Sequence, residues 1–331
     1  MAAKGLKKLE PGESYTGFCV LRKKEIKTKK DGDPYLVLEL GDFTGRLTAK
    51  YWKAPEELEQ NLKAGDLLKI KGQVRLFRDS RELHIEKIRL ARKDERENLD
   101  ELVPKSGKDV NALQKQLTLH LNTIKHPLLK NLIQNLFPDE NALLEFIKMP
   151  SGKLWHHNYL YGTLEHLVCL FELADSLYRI YPQINPDKLK SIILLHHLGN
   201  PTSFGVEGFI DYSDEGRLMG PAVLAFEKVK DAIKQIPDFP EELRMELLHA
   251  ALSSAGEKEM GAAVVPMTLE ALVLSLLEKV DITTNAAIRI LENDRIHGSR
   301  WTKFNNLLDR FLYSGLQSGD KKTGSNTEEP V

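Results

Sequence analysis

The first ninety residues alternate between apolar and polar positions with the two-residue period of β-strands. Runs rich in β-branched and aromatic residues are separated by turn-forming Asp, Gly, Ser and Pro. The predicted strands are Tyr15–Ile26, Tyr35–Leu40, Arg46–Trp52, Leu67–Phe77 and Leu83–Leu90. This pattern predicts an N-terminal domain built mainly from β-strands.

One short segment inside this β region has a helical pattern instead. Residues Pro55–Leu62 begin with Pro, which is favoured in the first turn of a helix, and Gly65 follows as a stop signal. Five strands with one helix between the third and the fourth is the element order of an OB-fold barrel. We therefore expect a five-stranded OB-fold barrel at the N-terminus.

From Val110 onward, apolar residues recur every three or four positions, as on one face of an α-helix, and the pattern continues to Leu312. Residues 91–110 are charged and contain Pro and Gly, which is typical of a linker, whereas the last residues are polar. The chain is thus predicted to be a multidomain β plus all-α protein. Its predicted parts are an OB-fold domain at 1–92, a linker at 93–110, a helical domain at 111–314 and a disordered tail at 315–331.

The formal net charge of −1 conceals a division between these parts. Residues 1–96 hold 23 Lys and Arg against 16 Asp and Glu, a net charge of +7, so the remaining residues carry −8. Averaged over the chain, the charge argues against a strongly basic nucleic-acid-binding protein. Divided by domain, it favours a basic N-terminal module that attracts phosphate groups.

Other features of the composition exclude several classes of protein. The longest apolar runs, such as Ser191–Leu195 and Leu269–Leu277, are far shorter than the roughly 18–20 residues of a membrane span, so no membrane partner is expected. The N-terminal sequence lacks the apolar core of a signal peptide, and Cys19 and Cys169 form no disulfide framework. A cytoplasmic protein is the simplest interpretation, and nothing in these patterns indicates an oligomeric state.

Basic and aromatic residues are interleaved along the predicted barrel. Such a combination binds single strands, because cations follow the phosphates while aromatic rings stack on bases. Alternatively, the aromatic residues belong to the barrel core and the Lys residues are solvated strand edges. The candidates for contact with single-stranded RNA or DNA are Lys27, Lys29, Tyr35, Lys50, Trp52, Arg75, Phe77 and Arg78.

Histidines and carboxylates in the helical region have the spacing of metal ligands. His166 lies on a predicted helix, the pair His196–His197 ends the apolar helix about 30 residues later, and Asp281 ends another helix. Three imidazoles and one carboxylate can meet at one ion within a bundle of helices. Buried histidines that only satisfy hydrogen bonds in the core are the alternative explanation.

Two stretches of the sequence carry a resemblance to a known family. The run Trp155–His166 and the segment Glu25–Gly45 resemble the YhaM-type 3′-to-5′ exoribonucleases, in which an OB fold is fused to an HD-superfamily phosphohydrolase domain. The resemblance extends from about Tyr15 to Tyr313. It implies a helical HD-superfamily domain after the barrel, a divalent metal cofactor and a single-stranded RNA substrate.

The resemblance also implies roles for individual residues. His166 corresponds to the first metal ligand, His196 to the His of the His-Asp pair and Asp281 to the closing Asp. His156 and His157 correspond to the rim of the site, where a substrate phosphate would pass, although a pair that packs at the start of the helix is equally compatible with the sequence.

The chain departs from the family pattern at several of these positions. His197 replaces the Asp of the pair, Pro221 replaces a His, and Ser254 and Ala255 replace a His-His pair. Proline and alanine side chains offer no ligand atom, and imidazole bridges two ions poorly, so the second metal position is predicted to be lost. A single Mn²⁺, Fe²⁺ or Zn²⁺ ion at most is expected, or no metal, and the predicted ligands are His166, His196, His197 and Asp281.

Two functions are compatible with this sequence. The first is a single-stranded nucleic-acid-binding protein that resembles a metal-dependent 3′-to-5′ exoribonuclease but whose catalysis is impaired or lost. The second is an active 3′-to-5′ exoribonuclease that uses one ion at His166, His196, His197 and Asp281. Both predict binding that weakens steeply with salt, and they differ in turnover.

Overall fold

The N-terminal region is a closed barrel of five strands. The structure is a computed structural model and describes residues 4–29, 31–52, 61–77, 80–96, 102–206, 208–293, 296 and 299–315. The strands are β1 (Ser14–Thr28), β2 (Pro34–Asp42), β3 (Gly45–Tyr51), β4 (Leu67–Phe77) and β5 (Ser80–Leu90). They close in the order β1-β2-β3-β5-β4, and only β3 and β5 pair in parallel. The predicted five-stranded OB-fold barrel is confirmed.

Alternation along the strands explains why the barrel closes. Leu36, Leu38 and Leu40 of β2 point inward and are fully buried, whereas the residues between them remain partly accessible. Burying each such side chain contributes on the order of 2 kcal/mol. The predicted helix Pro55–Leu62 lies largely outside the described residues, but the Leu62 side chain is buried in the barrel core.

The rest of the chain is predominantly helical, as the sequence predicted. One large apolar core unites most of the helices, and α4, α5 and α10 pack against one another at its centre. The helices are α1 (Val110–Asn122), α2 (Pro127–Leu136), α3 (Glu140–Lys148), α4 (Gly162–Ile180), α5 (Pro186–Leu195), α6 (Asn200–Ser203), α7 (Asp214–Leu218), α8 (Pro221–Lys234), α9 (Glu241–Ser253) and α10 (Leu269–Asn293). Short strands β6 (Phe204–Gly205) and β7 (Asp211–Tyr212) pair between α6 and α7.

The prediction that helix continues to Leu312 is wrong. After α10, the described residues 299–315 form a looped arm that is closed by pairing of Trp301 with Tyr313 and of Asn305 with Arg310. The Asn305 side chain accepts hydrogen bonds from the following turn, and Asp309 adopts a left-handed backbone conformation with φ of 51°. These two turn residues reverse the chain where the leucine spacing had suggested a helix.

The barrel contacts the helical region through the β6–β7 loop. The Arg22 guanidinium lies 5.0 Å from the centre of the Phe209 ring, and Phe209 also packs against a small apolar cluster that includes Val20 and Leu67 of the barrel. Residues 102–109, inside the predicted linker, are also attached to the helical region, because Ser106 donates a hydrogen bond to Glu165. The domain limits themselves stay predictions. Residues 316–331 of the predicted tail lie outside the described residues.

No helix in the described part of the chain combines the length and the apolar character that a bilayer crossing requires.

Candidate metal centre and nucleic-acid surface

His166 stands at the centre of a buried polar cluster in the helical core. It lies on the first turns of α4 and is fully buried. Its Nδ1–H donates to Asp281 Oδ2 at 2.6 Å, and its Nε2 lies 3.2 Å from Glu278 Oε1. Because Glu278 and Asp281 are one helical turn apart on α10, one helix supplies both carboxylates that contact this ring.

The pair His196–His197 directs two further imidazoles at the same carboxylate. His196 directly follows the end of α5, and its Nδ1–H donates to the backbone oxygen of Ile193 at 2.6 Å. That bond leaves His196 Nε2 facing Glu278 Oε1 at 2.8 Å. His197 Nε2 lies 3.9 Å from the same oxygen and 3.0 Å from the hydroxyl of Ser151.

The structure therefore brings together three of the four predicted ligands and one residue that the sequence did not single out. His166, His196, His197 and Glu278 each offer one donor atom, all of these atoms lie within 4.8 Å of one another, and all four side chains are buried. Asp281 is at the opposite ring nitrogen of His166 rather than inside this group. Its role as a direct ligand stays a prediction, and the carboxylate within the group is that of Glu278.

Close backbone packing positions these side chains. The turn before α4 contains Tyr161 with φ of 64°, and a Cβ on Gly162 would lie 2.0 Å from the His157 carbonyl oxygen. Behind His197, a Cβ on Gly199 would lie 2.1 Å from the Pro221 carbonyl oxygen. Glycine is required at both positions because any larger residue would push the histidine-bearing segments apart.

His156 and His157 lie in the interior and not on an exposed rim. Both are buried, and together with His166 they form a second group of nearby nitrogens. His157 has a left-handed backbone with φ of 41°, which turns its ring toward Asp281 Oδ2 at 3.5 Å. Its backbone N–H donates to Asn285 on α10. The segment before α4 thus folds inward and packs against α10, and contact of these two histidines with a substrate phosphate stays a prediction.

Charge in the cluster is balanced between imidazoles and carboxylates. Burial alone would lower the pKa of His166, but Asp281 and Glu278 raise this pKa to about 9. Burial would raise the pKa of both carboxyls, but His196 and His166 hold the pKa of Glu278 well below its usual range, and His166 lowers that of Asp281 to about 2. The histidines that Glu278 and Asp281 contact therefore stabilise the charged form of both buried carboxylates.

The outer histidines remain neutral. Burial and the neighbouring His166 lower the pKa of His156 to about 3 and that of His157 to about 4. Burial, followed by His196 and His166, places the pKa of His197 well below its usual value. Neutral imidazole is the form that binds metal ions.

The donor set fits a divalent transition-metal ion. Three imidazole nitrogens and one carboxylate oxygen suit Zn²⁺, Fe²⁺ or Mn²⁺. Metal-binding histidines usually donate their other ring N–H to a carboxylate or a backbone carbonyl, which fixes the ring orientation. His166 does so to Asp281 and His196 does so to Ile193, and both present Nε2 to the centre of the cluster.

The nucleic-acid candidates of the barrel lie largely at one of its ends. Tyr35 stacks on Trp52 with the ring centres 4.5 Å apart, and Lys50 Nζ lies 4.3 Å from the centre of the Phe77 ring and 5.7 Å from that of Trp52. Phe77 is 49% exposed, and Tyr35, Lys50 and Trp52 are partly exposed. These four residues, which we call the aromatic patch, are surface residues, although the sequence left open that their rings belonged to the core.

The other candidates have different outcomes. Lys27 pairs with Tyr35 in the sheet register and Arg75 lies near the end of β4, so both are beside the aromatic patch, and Lys27 forms an ion pair with Glu25 at 3.2 Å. Lys29 follows β1 and forms an ion pair with Asp33 at 3.2 Å. Arg78 lies outside the described residues.

His84 is a member of this surface that sequence reasoning missed. Its ring lies 6.0 Å from that of Trp52, opposite Lys50 in the β3–β5 pairing. Burial, with Arg75 next in importance, lowers the pKa of His84 below its usual value. Residues two positions apart on a strand lie on the same face, so the charged Glu82 was the sequence signal that the His84 ring faces outward.

A closed five-stranded barrel with an exposed basic and aromatic end is characteristic of nucleic-acid-binding OB folds. A family model for the OB-fold nucleic acid binding domain, tRNA_anti-codon, matches residues 20–91. The chain thus contains an OB-fold nucleic-acid-binding domain followed by a helical region.

The similarity to particular proteins extends over both regions. The chain is 26% identical to the 3′-5′ exoribonuclease YhaM of Oceanobacillus iheyensis over 281 residues, covering 85% of this chain and 88% of that protein. It is 27% identical to the 3′-5′ exoribonuclease YhaM of Bacillus subtilis, covering 88% of this chain and 91% of that protein. The resemblance to YhaM-type exoribonucleases that the motifs predicted is confirmed.

Among solved structures, the second OB-fold domain of replication protein A from Methanococcus maripaludis is 24% identical to this chain. It covers 27% of this chain and 95% of its own length, with a TM-score of 0.23.

Proposed function

We propose that this protein binds single-stranded nucleic acid through its barrel, holds one divalent metal ion in its helical region, and has impaired or lost hydrolysis. The observation that carries the proposal is the donor set of His166, His196, His197 and Glu278, which supplies four protein ligands to one buried point. Ions with four protein ligands are usually structural, whereas catalytic ions keep a position for water or substrate.

The departures from the family pattern support the same conclusion. Pro221 begins α8, Ser254 and Ala255 follow the end of α9, and the resemblance places further metal ligands at these three positions. A bound divalent ion would lower the pKa of a coordinated water and stabilise charge on a phosphoryl oxygen. Four protein ligands are already present, and these three positions offer no further donors of comparable strength. The chain's own residues would therefore hold one ion and provide no ligands at these positions for a second ion.

The aromatic patch supports single-strand binding by the barrel. Its rings lie at the surface beside Lys27 and Arg75, so bases can stack while the cations attract phosphates. Because stacking depends on the faces of bases and not on their edges, we propose binding with little sequence preference. RNA is the proposed ligand, since the relatives that match most of the chain are named as exoribonucleases.

A second candidate function is active 3′-to-5′ exoribonuclease chemistry with a single ion. The observation that favours it is the orientation of His166 and His196, whose outer ring nitrogens are both hydrogen-bonded as in functional metal sites. In this case Glu278 or His197 would have to leave a coordination position for water.

The experiment compares binding and turnover in the same preparation. Metal-loaded protein in excess over a 5′-labelled oligoribonucleotide is incubated with added Mn²⁺, and binding and shortening are measured, with a single-stranded DNA of the same sequence in parallel. We expect binding without progressive shortening. Shortening that is abolished by His166→Ala and retained by Glu292→Gln, a change at an exposed residue near the end of α10, would establish the second candidate instead.

A further inference from the structure

Helix α10 carries an apolar surface that faces solvent. Leu269, Leu272, Leu276 and Val280 follow one another at spacings of three or four residues and are between 46% and 55% exposed. We call these four residues the α10 stripe. The opposite side of the helix is buried and carries Glu278 and Asp281. Contiguous apolar patches of this kind on a protein surface usually mark an interaction site.

The residues after α10 carry a second apolar surface. The C-terminal arm, residues 299–315, holds large apolar side chains that are between 47% and 57% exposed. They pack in pairs with one another, with the rings of Trp301 and Tyr313 5.1 Å apart and those of Phe304 and Phe311 also 5.1 Å apart. The exposed members are Trp301, Phe304, Leu307, Phe311 and Tyr313.

Both surfaces are accessible in the same molecule. Within the described part of the chain, the arm does not cover the stripe, because both remain about half exposed. Neither surface is therefore covered by the residues that the structure describes.

The areas involved favour a partner that covers both surfaces together. A half-exposed leucine or aromatic residue leaves on the order of 100 Å² accessible, so the stripe offers roughly 400 Å² and the arm roughly 500 Å². Stable interfaces bury about 800 Å² per partner. Packing of stripe against stripe reaches about half of that area, whereas a pair of chains that each contribute a stripe and an arm reaches it.

We propose that this protein is a homodimer in which the C-terminal arm of each chain packs on the α10 stripe of the other. Two identical contacts related by a two-fold axis close the assembly. The charges are also compatible, because the arm carries Arg300, Lys303 and Arg310 against the single Asp309, whereas residues from 97 onward are acidic overall. The occupant of the stripe is thus a second copy of this chain.

The test uses the full-length chain in sedimentation equilibrium. We expect a dimer for the unmodified protein. Leu272→Glu combined with Leu276→Glu, or Trp301→Ala combined with Phe304→Ala, should raise the dimer dissociation constant about 100-fold or more, since both remove apolar contacts from the centre of the interface. Leu119→Glu, at a 67% exposed position of α1, is the matched control and should leave the dimer intact.

Mixing the two double variants tests the exchange itself. In the mixed pair, the intact arm of the stripe variant can pack on the intact stripe of the arm variant, so one of the two contacts remains. We therefore expect a heterodimer of intermediate stability, whereas each variant alone stays monomeric. The proposal would be overturned if the unmodified protein is monomeric at roughly 50–100 μM, a concentration well above the dissociation constants of typical stable dimers. Stripe variants that dissociate while arm variants stay dimeric would overturn it as well, because that pattern indicates stripe-on-stripe packing.

Folding and nucleic-acid binding are measured on the same variants. Circular dichroism identifies a variant that fails to fold, and Leu276→Lys then replaces the double stripe variant. If the arm variants lose RNA binding while the unmodified protein is monomeric, the arm is a nucleic-acid surface and the dimer proposal is wrong.

Discussion

The aromatic patch of the barrel and the histidine cluster of the helical region differ in how far their side chains are exposed. The patch keeps its three aromatic rings partly exposed, and Lys50 lies against two of them while it forms an ion pair with Glu82 at 2.8 Å. In the cluster, the carboxylates of Glu278 and Asp281 neutralise buried imidazoles inside the protein. The patch is thus accessible to a macromolecular ligand, whereas the buried cluster has room only for a ligand of the size of an ion.

The difference shows how two parts of one chain can change independently. The barrel needs only a basic and aromatic surface to bind a strand, and many residue combinations provide one. A two-ion hydrolytic site needs specific donors at specific positions, so we expect His197, Pro221, Ser254 and Ala255 to prevent two-ion hydrolysis without affecting the barrel.

The largest effect is expected at the aromatic patch. Combining Tyr35→Ala with Trp52→Ala should weaken RNA binding by about 100-fold or more, because each stacked base contributes roughly 1–3 kcal/mol. Fluorescence anisotropy with a labelled oligoribonucleotide measures the dissociation constant. Phe43→Ala is the matched control, since Phe43 is 48% exposed in the turn between β2 and β3, at the other end of these strands. Equal losses in both variants would contradict the role of the patch.

The next effect concerns the support of the metal site. Asp281→Asn should lower the affinity for Zn²⁺ about 10–100-fold, because the carboxylate that orients His166 is replaced by a neutral amide. Competition with a chromophoric chelator measures the affinity, and Glu292→Gln on the same helix is the control. A complete loss of stoichiometric binding would instead indicate that Asp281 is itself a ligand.

A smaller effect is expected from a single cation beside the patch. Lys27→Ala should reduce the slope of log affinity against log salt by about 0.7, the contribution of one phosphate contact on a single strand. The slope is measured between low and moderate NaCl concentrations. Lys115→Ala, an exposed residue of α1, should leave the slope unchanged. A slope that responds equally to both variants would show that Lys27 acts only through net charge.

The smallest effect is expected from restoring one family residue. His197→Asp should give no measurable nuclease activity, because Pro221 and Ala255 still supply no donor atoms. The measurement is shortening of a labelled oligoribonucleotide with Mn²⁺. Robust activity of this variant would mean that the missing ligands have been misidentified.

The barrel was predictable because its signals are local. Alternation at Leu36, Leu38 and Leu40 defines both a strand and its buried face. The sequence did not decide whether the rings of Tyr35 and Trp52 lie at the surface or in the core. The alternation of each strand answers this question only when the pairing register of the strands is known. His84 was missed because its neighbour Lys50 lies on a strand more than thirty positions away in sequence.

The metal cluster was only partly predictable because its geometry depends on contacts between distant helices. The motifs indicated His166, His196 and His197, which do converge. Glu278 was missed. A carboxylate inside an apolar helix is nevertheless a signal, because a buried carboxylate requires a buried partner. Nothing in the sequence alone distinguishes it from Asp281, one turn later, as the residue that faces the centre of the cluster.

The C-terminal arm shows where a helical period misleads. The leucines at 307, 308 and 312 have helical spacing, but Asn305 and Asp309 form turns between them. Turn chemistry at two positions outweighs the periodicity of a short segment.

The most direct test of the account is the number of metal ions per chain. The purified protein is saturated with Zn²⁺ or Mn²⁺, freed of unbound metal, and analysed by inductively coupled plasma mass spectrometry beside Glu278→Ala. We predict one ion per chain in the unmodified protein and its loss in the variant, because the two groups of nearby donors share His166 and only the group with His196, His197 and Glu278 includes a carboxylate. Two ions per chain, or one ion that Glu278→Ala retains at full affinity, would contradict the account.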